Sequence, residues 1–325
     1  MPTISCAFPP SIHTPAYAAI AESLGYERVW LYDSPALYHD IWVTLARVVE
    51  RTTRIGVGTA VLVPNNRHPL VTASAIATIE DLAPGRLAVA IGTGFTGRMA
   101  MGHKALPWQF VRDYIETLRA LLRGEAAEVD GKMVQMIHPD GFAPPRPLAT
   151  PIVVAANGPK GFEVARELGD GVMTVTGGNP AFEWCSTLVF GTVLDPGESV
   201  TDARVIAAAG PALTVVYHAM YEGDPSSVEG LPGGVEWRQR LETVPEPIRH
   251  LATHQDHLVK VTERDAPVID PNLLPAFTWT GTPSDVAARV EAAVASGVTE
   301  FIYQPIGDTP AEIERELRAF HGAAT

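Results

Sequence analysis

The sequence predicts an eight-stranded parallel α/β barrel, and three observations predict it. Short β-branched runs alternate with helix-period segments along the whole chain. Eight runs of this kind are present, the number that closes a (β/α)8 TIM barrel; a doubly wound open sheet is the alternative. The 325 residues suit one such domain with additions. We therefore expect a single domain over 1–325, with insertions at about 124–150 and 201–275.

The first run is Ile4–Phe8, and the helical stretch Pro15–Leu24 after it stops at Gly25, a C-terminal helix glycine. Arg28–Tyr32 reads as the second strand and ends at Asp33. Helix Ile41–Arg51 leads to strand Arg54–Val63, and helix Pro69–Leu82 leads to strand Arg86–Ile91. Helix Trp108–Leu122 precedes Glu128–Met136, where Asp130-Gly131 is a two-residue hairpin signal. Ile152–Ala156, helix Pro159–Leu168, Gly171–Thr176 and Leu188–Leu194 follow. A helix-rich block from Thr201 to Pro275 separates them from helix Pro283–Ser296, strand Glu300–Tyr303 and helix Pro310–Phe320.

Composition narrows the function. Hydrophobic residues make up 46% and charged residues 19%, enough for a large core without a disorder signature. The formal net charge of -13, without a Lys/Arg block, argues against nucleic acid and anionic membranes as partners. An anionic ligand would have to be held by helix N-termini and a few local bases. Cys6 and Cys185 are too few for a disulfide framework, which fits a reducing cytoplasm. The N-terminal MPTISCAFPP lacks a basic leader region, and no apolar run reads as membrane-spanning.

In a parallel barrel the reactive groups sit where strands end. Those positions hold Asp33, Thr59-Ala60-Val61, Gly92-Thr93-Gly94, Asn157-Gly158-Pro159-Lys160 and Thr176-Gly177-Gly178. Small residues there let a flat ligand or a phosphate approach backbone N–H groups. Gly92 to Gly97 literally spells the dinucleotide fingerprint, but Gly102 and Pro107 follow and no helix is expected to open at once, so it reads as a tight turn. Asp33 suits either acid–base work or a structural ion pair. Lys160, in a first helical turn, suits phosphate binding. His250, His254 and His257 share a face at i, i+4 and i+7; without a His-Glu-x-x-His frame they read as a substrate-lining or solvated face and not as a metal site. No nucleophile elbow, Walker sequence or Cys-x-x-Cys pair is present.

Five strings carry a family resemblance: VWLYDSP (29–35), RIGVGTAVLVPNNRHP (54–69), GRLAVAIGTG (85–94), PIVVAANGPKGFEVARELGDGV (151–172) and GTPSDVAARVEAAVASGV (281–298). Together the chain resembles the bacterial luciferase-like superfamily, and most closely its deazaflavin (coenzyme F420) branch, which includes methylenetetrahydromethanopterin reductase. The likeness is weakest over about 180–275. It implies a luciferase-like barrel, a flavin-type cofactor and a bulge with a non-prolyl cis peptide at Ala60–Val61 behind the ring. It also implies ring contacts at Thr93 and Gly94, an acid beside the ring at Asp33, and loops around the cofactor phosphate at Gly158, Pro159, Gly177 and Gly178. Two departures stand out against the glucose-6-phosphate dehydrogenases of the same branch: Ser34 where they have His after the acid, and Gly178 where they have Lys, which shifts the phosphate role to Lys160.

The expected activity is hydride transfer between F420 and a small organic substrate, with Asp33 as acid–base group and 201–275 as lid. The alternative is oxygen insertion by a two-component monooxygenase using FMN, as FMNH2 from a partner flavin reductase; a third reading is a barrel that only binds flavin. Phe8, Trp184, His218, Tyr221 and His254 are the expected substrate-lining residues, and a homodimer or larger assembly is the expectation from the family.

Overall fold

The computed structural model describes residues 2–325. β1 (Thr3–Phe8) leads to α1 (Thr14–Ser23), after which Gly25 turns the chain at φ +86°. β2 (Arg28–Leu31) leads to α2 (Ile41–Arg51), whose N-cap Asp40 accepts from the N–H groups of Trp42 and Val43. β3 (Gly56–Leu62) and α3 (Pro69–Leu82) precede β4 (Leu87–Ile91), a short α4 (Phe95–Met99) and α5 (Trp108–Arg123). β5 (Ala127–Val129) and β6 (Lys132–Val134) form an antiparallel hairpin. Asp130 and Gly131 between them take φ of 51° and 72°, the left-handed pair that a two-residue turn needs.

β7 (Ile152–Ala155), α6 (Pro159–Leu168), β8 (Gly171–Thr174) and β9 (Cys185–Phe190) come next. Then α7 (Ala203–Gly223), α8 (Gly234–Glu242), α9 (Arg249–Thr253) and α10 (Leu274–Phe277) fill the long connection to α11 (Pro283–Ala295), β10 (Glu300–Gln304) and α12 (Pro310–Ala324). α11 and α12 each open on a capping box, Thr282 with Asp285 and Thr309 with Glu312.

Eight strands close a barrel in the order β1-β10-β9-β8-β7-β4-β3-β2, and every pair is parallel. β4 and β10 are buried at every residue, as strands covered on both faces must be. The Trp30 indole is buried inside the barrel, in one cluster with Ala7, Ala88, Val153, Met173 and Ile302. It fits because Gly58 has no side chain: a Cβ there would stand 2.5 Å from the ring. At the amino ends of the strands, Glu300 accepts from Trp30 Nε1 (3.0 Å) and Trp184 Nε1 (2.6 Å), and the Arg28 guanidinium lies 5.3 and 5.4 Å from the two indoles. This aromatic and ionic plug closes the floor.

The plug corrects one expectation. Trp184 was expected to line the substrate site, but it precedes β9 and therefore sits at the floor, opposite the mouth. The seventh barrel strand also begins at Cys185 and not at Leu188, because β8 passes to β9 without an intervening helix. Ser186 and Thr187, polar by type, are buried in that strand. A further correction concerns α7. Its 21 residues, with a mean hydropathy of 1.2, are long and apolar enough by composition to cross a membrane, although 56% of that window is buried inside the fold.

The α7–α10 segment has its own apolar cluster, including Leu213, Tyr217, Trp237, Leu241 and Leu274. It meets the barrel mouth through the backbone carbonyls of His257 and Leu258, which accept from Tyr38 and Gln304.

Candidate active site

The mouth begins with an irregular strand. β3 pairs Thr59 with Val89 and next Leu62 with Ile91, so three steps on β3 match two on β4: a bulge at Ala60–Val61. The Ala60–Val61 peptide is cis, as the resemblance implied. Thr59 is buried and donates its hydroxyl to Ala90 O at 2.9 Å. The bulge lifts Val61 onto Gly92 and Ala155, where a Cβ on Gly92 would stand 3.0 Å from Val61 Cγ2 and 3.2 Å from Ala155 Cβ. The result is a half-exposed apolar ledge at the carboxyl ends of β3, β4 and β7.

The fingerprint-like glycines serve this ledge. Gly94 has φ +75°, and a Cβ there would stand 2.5 Å from Val63 Cγ1; a Cβ on Gly97 would stand 2.9 Å from Asp33 O. The loop thus packs tightly on the chain beyond the bulge. One correction follows: a helix does open at once after Gly94, but α4 runs only from Phe95 to Met99. Thr93 lies half-exposed beside it.

Asp33 is buried, and its carboxylate is fully engaged. It accepts from Val63 N (3.1 Å), Asn66 Nδ2 (3.3 Å) and Arg67 NH1 (2.9 and 2.8 Å to its two oxygens). Arg67 also donates to Asp40 at 2.8 Å. Burial works against the Arg67 charge, but the two carboxylates outweigh it and raise its pKa above the ordinary value. Of the two roles open to Asp33, the ion pair is the one on display: it ties the β2 end to the segment just past the bulge.

Across the mouth, the Asn157 carboxamide oxygen accepts from Val175 N (2.9 Å) and Thr176 Oγ1 (3.3 Å), joining the loops after β7 and β8. Gly158 caps α6 without a side chain, and Pro159 and Lys160 stand exposed in its first turn. Gly177 takes φ +112°, and its carbonyl accepts from Thr174 Oγ1 at 2.6 Å. Gly178 does not belong with them. Its N–H bonds Ser296 Oγ at 3.1 Å, and a Cβ there would meet Ser296 O at 2.4 Å. Ser296 caps the end of α11 near the start of β10, so the helix-free crossover has already carried Gly178 down the barrel wall.

The roof comes from residues 254–259. Gln304 at the end of β10 accepts from Tyr32 OH (2.5 Å) and donates to Leu258 O (2.9 Å), while Tyr38 OH donates to His257 O (2.6 Å). Two cavities flank this roof. One, of about 550 Å³, is lined by Leu37, Ala100, Leu251, His254 and Asp256. The other, of about 520 Å³, is lined by Phe8, Tyr38, His39, His257, Leu258 and Gln304 among others. Tyr32 and Tyr38 share an apolar cluster with Ala60 and Val61, so the second cavity adjoins the ledge through Tyr38.

The three-histidine face does not form. α9 ends at Thr253; His250 packs over Gly102, whereas His254 and His257 turn inward and are buried beside His218. His218 and Tyr221 lie inside the α7–α10 segment, with no place among the lining residues of either cavity. Among the described residues, no group of three or more His, Cys, Asp or Glu side chains is arranged to hold a metal ion. Tyr32, Tyr38 and Gln304 escaped sequence reading, although Tyr32 and Gln304 are polar side chains at the carboxyl ends of strands, the signal that singled out Asp33, and Tyr38 follows in the β2–α2 loop.

Comparisons with known proteins converge on this architecture. The chain is 27% identical over 311 residues to 5,10-methylenetetrahydromethanopterin reductase of Archaeoglobus fulgidus, covering 90% of this chain and 89% of that one. The solved coenzyme F420-dependent tetrahydromethanopterin reductase from Methanopyrus kandleri superposes with a TM-score of 0.67 at 18% identity, over 98% and 96% of the two chains. The oxygenating component of 3,6-diketocamphane monooxygenase from Pseudomonas putida, solved with FMN, gives 0.57 at 14% identity over 98% and 96%. The family model for luciferase-like monooxygenases matches residues 10–185, which include the bulge, the glycine loop and the Asn157 loop, and the chain belongs to that family of oxidoreductase enzymes.

Proposed function

We propose that the chain binds coenzyme F420 on the Val61 ledge and exchanges hydride with a small organic substrate admitted beside it. The observation that supports this most is the ledge itself: an apolar shelf cleared by Gly92, bounded by hydrogen-bonding loop ends at Thr93, Asn157 and Thr176. Such a shelf suits a planar ring with polar edges, and the full-length likeness to a methylenetetrahydromethanopterin reductase favours the deazaflavin. When bound, the deazaflavin supplies or accepts the hydride.

The protein's part is orientation and exclusion of water. Ala60 and Val61 back one face of the ring, with Thr59 holding the bulge to β4. Thr93 and Gly94 border the ring, and Asn157 sets the spacing of the two loops. Gly158, Pro159, Lys160, Thr176 and Gly177 receive the phosphate, with Lys160 as counter-charge at the start of α6. Asp33 is a positioning residue that fixes the far side of the bulge through Val63 and Arg67. Phe8 lines the substrate cavity, and the α7–α10 segment is an insertion in one barrel domain that acts as the lid.

The test is titration of purified protein with F420, FMN and reduced FMN, following fluorescence and oxygen uptake. Micromolar F420 binding without oxygen consumption supports the proposal. Oxygen-dependent turnover with reduced FMN, and no F420 binding, replaces it with the monooxygenase reading.

A further inference from the structure

The cavity that adjoins the ledge is aromatic and acidic. Its walls, enclosing about 520 Å³, carry Phe8, Tyr17 and Tyr38 together with Asp256 and Asp308, and no Lys or Arg side chain. The cavity of about 550 Å³ on the other side of the roof has no Lys or Arg in its walls either, and Leu37 and Asp256 belong to both linings. The Phe8 and Tyr17 rings stand with centroids 5.7 Å apart, tilted by 42°. The Tyr38 hydroxyl is already engaged by His257 O, so its ring is what that residue has left to offer a ligand.

Asp256 is the carboxylate without a partner. Among the described residues its side chain makes no hydrogen bond and no ion pair, whereas Asp308 has Lys260 Nζ at 3.6 Å. The roof backbone stations it there. Asp256 takes φ +55° and Leu258 takes φ +58°, a left-handed pair that Asp tolerates better than Leu does. Asp256 O accepts from Val259 N (2.9 Å) and Lys260 N (3.0 Å), and the next two carbonyls accept from Tyr38 and Gln304. The charge is thereby fixed on the wall that the two cavities share.

The neighbouring groups give the cavity the same sign. Burial raises the Tyr17 pKa, and the Asp308 and Glu312 carboxylates raise it further, so the potential at that wall is negative. Burial, reinforced by His218 and His254, pushes the His257 pKa well down and keeps that lining residue neutral. Lys160, the base assigned to the cofactor phosphate, stands across the mouth at the start of α6. A cation in the cavity gains from the carboxylate and from the ring faces, whereas an anion meets like charge and no lining base.

We propose that this cavity takes a small organic cation, an alkyl- or arylammonium ion, with its charge at Asp256 and its apolar part against Phe8, Tyr17 and Tyr38. Calling that ligand the substrate rests on the F420 reading; the preference for positive charge does not. The same charges turn phosphorylated sugars and carboxylates away from the cavity, and they separate the mouth into an acidic substrate side and a phosphate side at Lys160.

The test titrates the full-length protein, without cofactor and at low salt, with three probes of similar shape: benzyltrimethylammonium, benzyl alcohol and benzoate. Calorimetry reads affinity, and tyrosine ring NMR signals locate the ligand. The ammonium ion should bind about 10-fold more tightly than the alcohol and shift the Tyr17 and Tyr38 signals, with benzoate weakest. In Asp256→Asn the ammonium affinity should fall about fivefold while the alcohol affinity is kept, a split that a merely structural role would not produce. Equal affinities for the three probes, benzoate as the tightest, ammonium binding that leaves both tyrosines unmoved, or an unchanged preference in Asp256→Asn overturns the assignment. A repeat with F420 tests the substrate role: the ammonium affinity should survive cofactor binding, and mutual exclusion would overturn that role. Absence of F420 binding defeats the cofactor reading, and the titration without cofactor still decides the charge preference.

Discussion

The two sides of the barrel mouth are built by opposite means. The ledge side, from β3 to β8, is backbone work: a bulge, glycines at 92, 94 and 97, and one carboxamide joining two loops. The roof side is side-chain work: Gln304, Tyr32 and Tyr38 hold residues 257 and 258, and a buried set of imidazoles, an indole and a carboxylate stands behind them. A rigid seat can be shaped by sterics alone. A cover that must admit substrate relies on hydrogen bonds that satisfy buried polar groups, and these are easier to rearrange.

The largest expected effect falls on the roof. Trp237 is fully buried, stacks on His218 with ring centroids 5.8 Å apart and donates to Asp265. Trp237→Ala should cost about 3–5 kcal/mol by cavity formation and loss of that bond. Hydrogen exchange should show the loss confined to α7–α10; protection lost equally in the barrel strands would erase the distinction between the two sides.

Asp33→Ala attacks the seat. Removing a carboxylate from a buried pair with Arg67 should cost about 3 kcal/mol, at the low end because Asp40 still holds the guanidinium. Denaturant unfolding measures that loss, and F420 affinity should fall with it. If Asp33→Asn kept the affinity but removed a limb of the pH–rate profile, Asp33 would be an acid–base group and not a positioning one.

Gly94→Ala is expected to cost about 1–3 kcal/mol, since the new Cβ meets Val63 Cγ1 at a positive φ. A thermal shift under one degree would show that the glycine loop does not brace the bulge.

The subtlest effect is with pH. His218 and His257 have pKa values lowered by burial, so below about 6.5 the unfolded chain binds protons the folded roof refuses. Their contribution is complete above that pH and declines as pH falls through it. Roof protection should weaken between pH 6.5 and 5 while the barrel stays protected, and His257→Gln should flatten the trend.

The same contrast explains what the sequence could reveal. The other barrel strands, the Asp130-Gly131 turn and the Ala60–Val61 bulge follow from local patterns or from strings shared along the family, and they are where expected, whereas the seventh strand starts at Cys185 and not at Leu188. Trp184 and Gly178 were misassigned because the β8–β9 crossover has no helix to mark its return, so residues that seemed to follow a strand already lie beside the next one. The buried imidazole group was half visible: His250, His254 and His257 have helical spacing, but α9 ends at Thr253 and the buried cluster recruits His218 from 36 residues before His254. Periodicity cannot report a partner that arrives through tertiary packing. The capping role of Asp40 was likewise open to local reading, whereas its second bond, to Arg67, was not.

A crystal structure of the complex with F420 tests the central claim most directly. The account predicts the deazaflavin ring within van der Waals contact of Val61, its phosphate at the start of α6 near Lys160, and free space between ring and His257. A ring bound elsewhere, with the Val61 ledge bare, would contradict it.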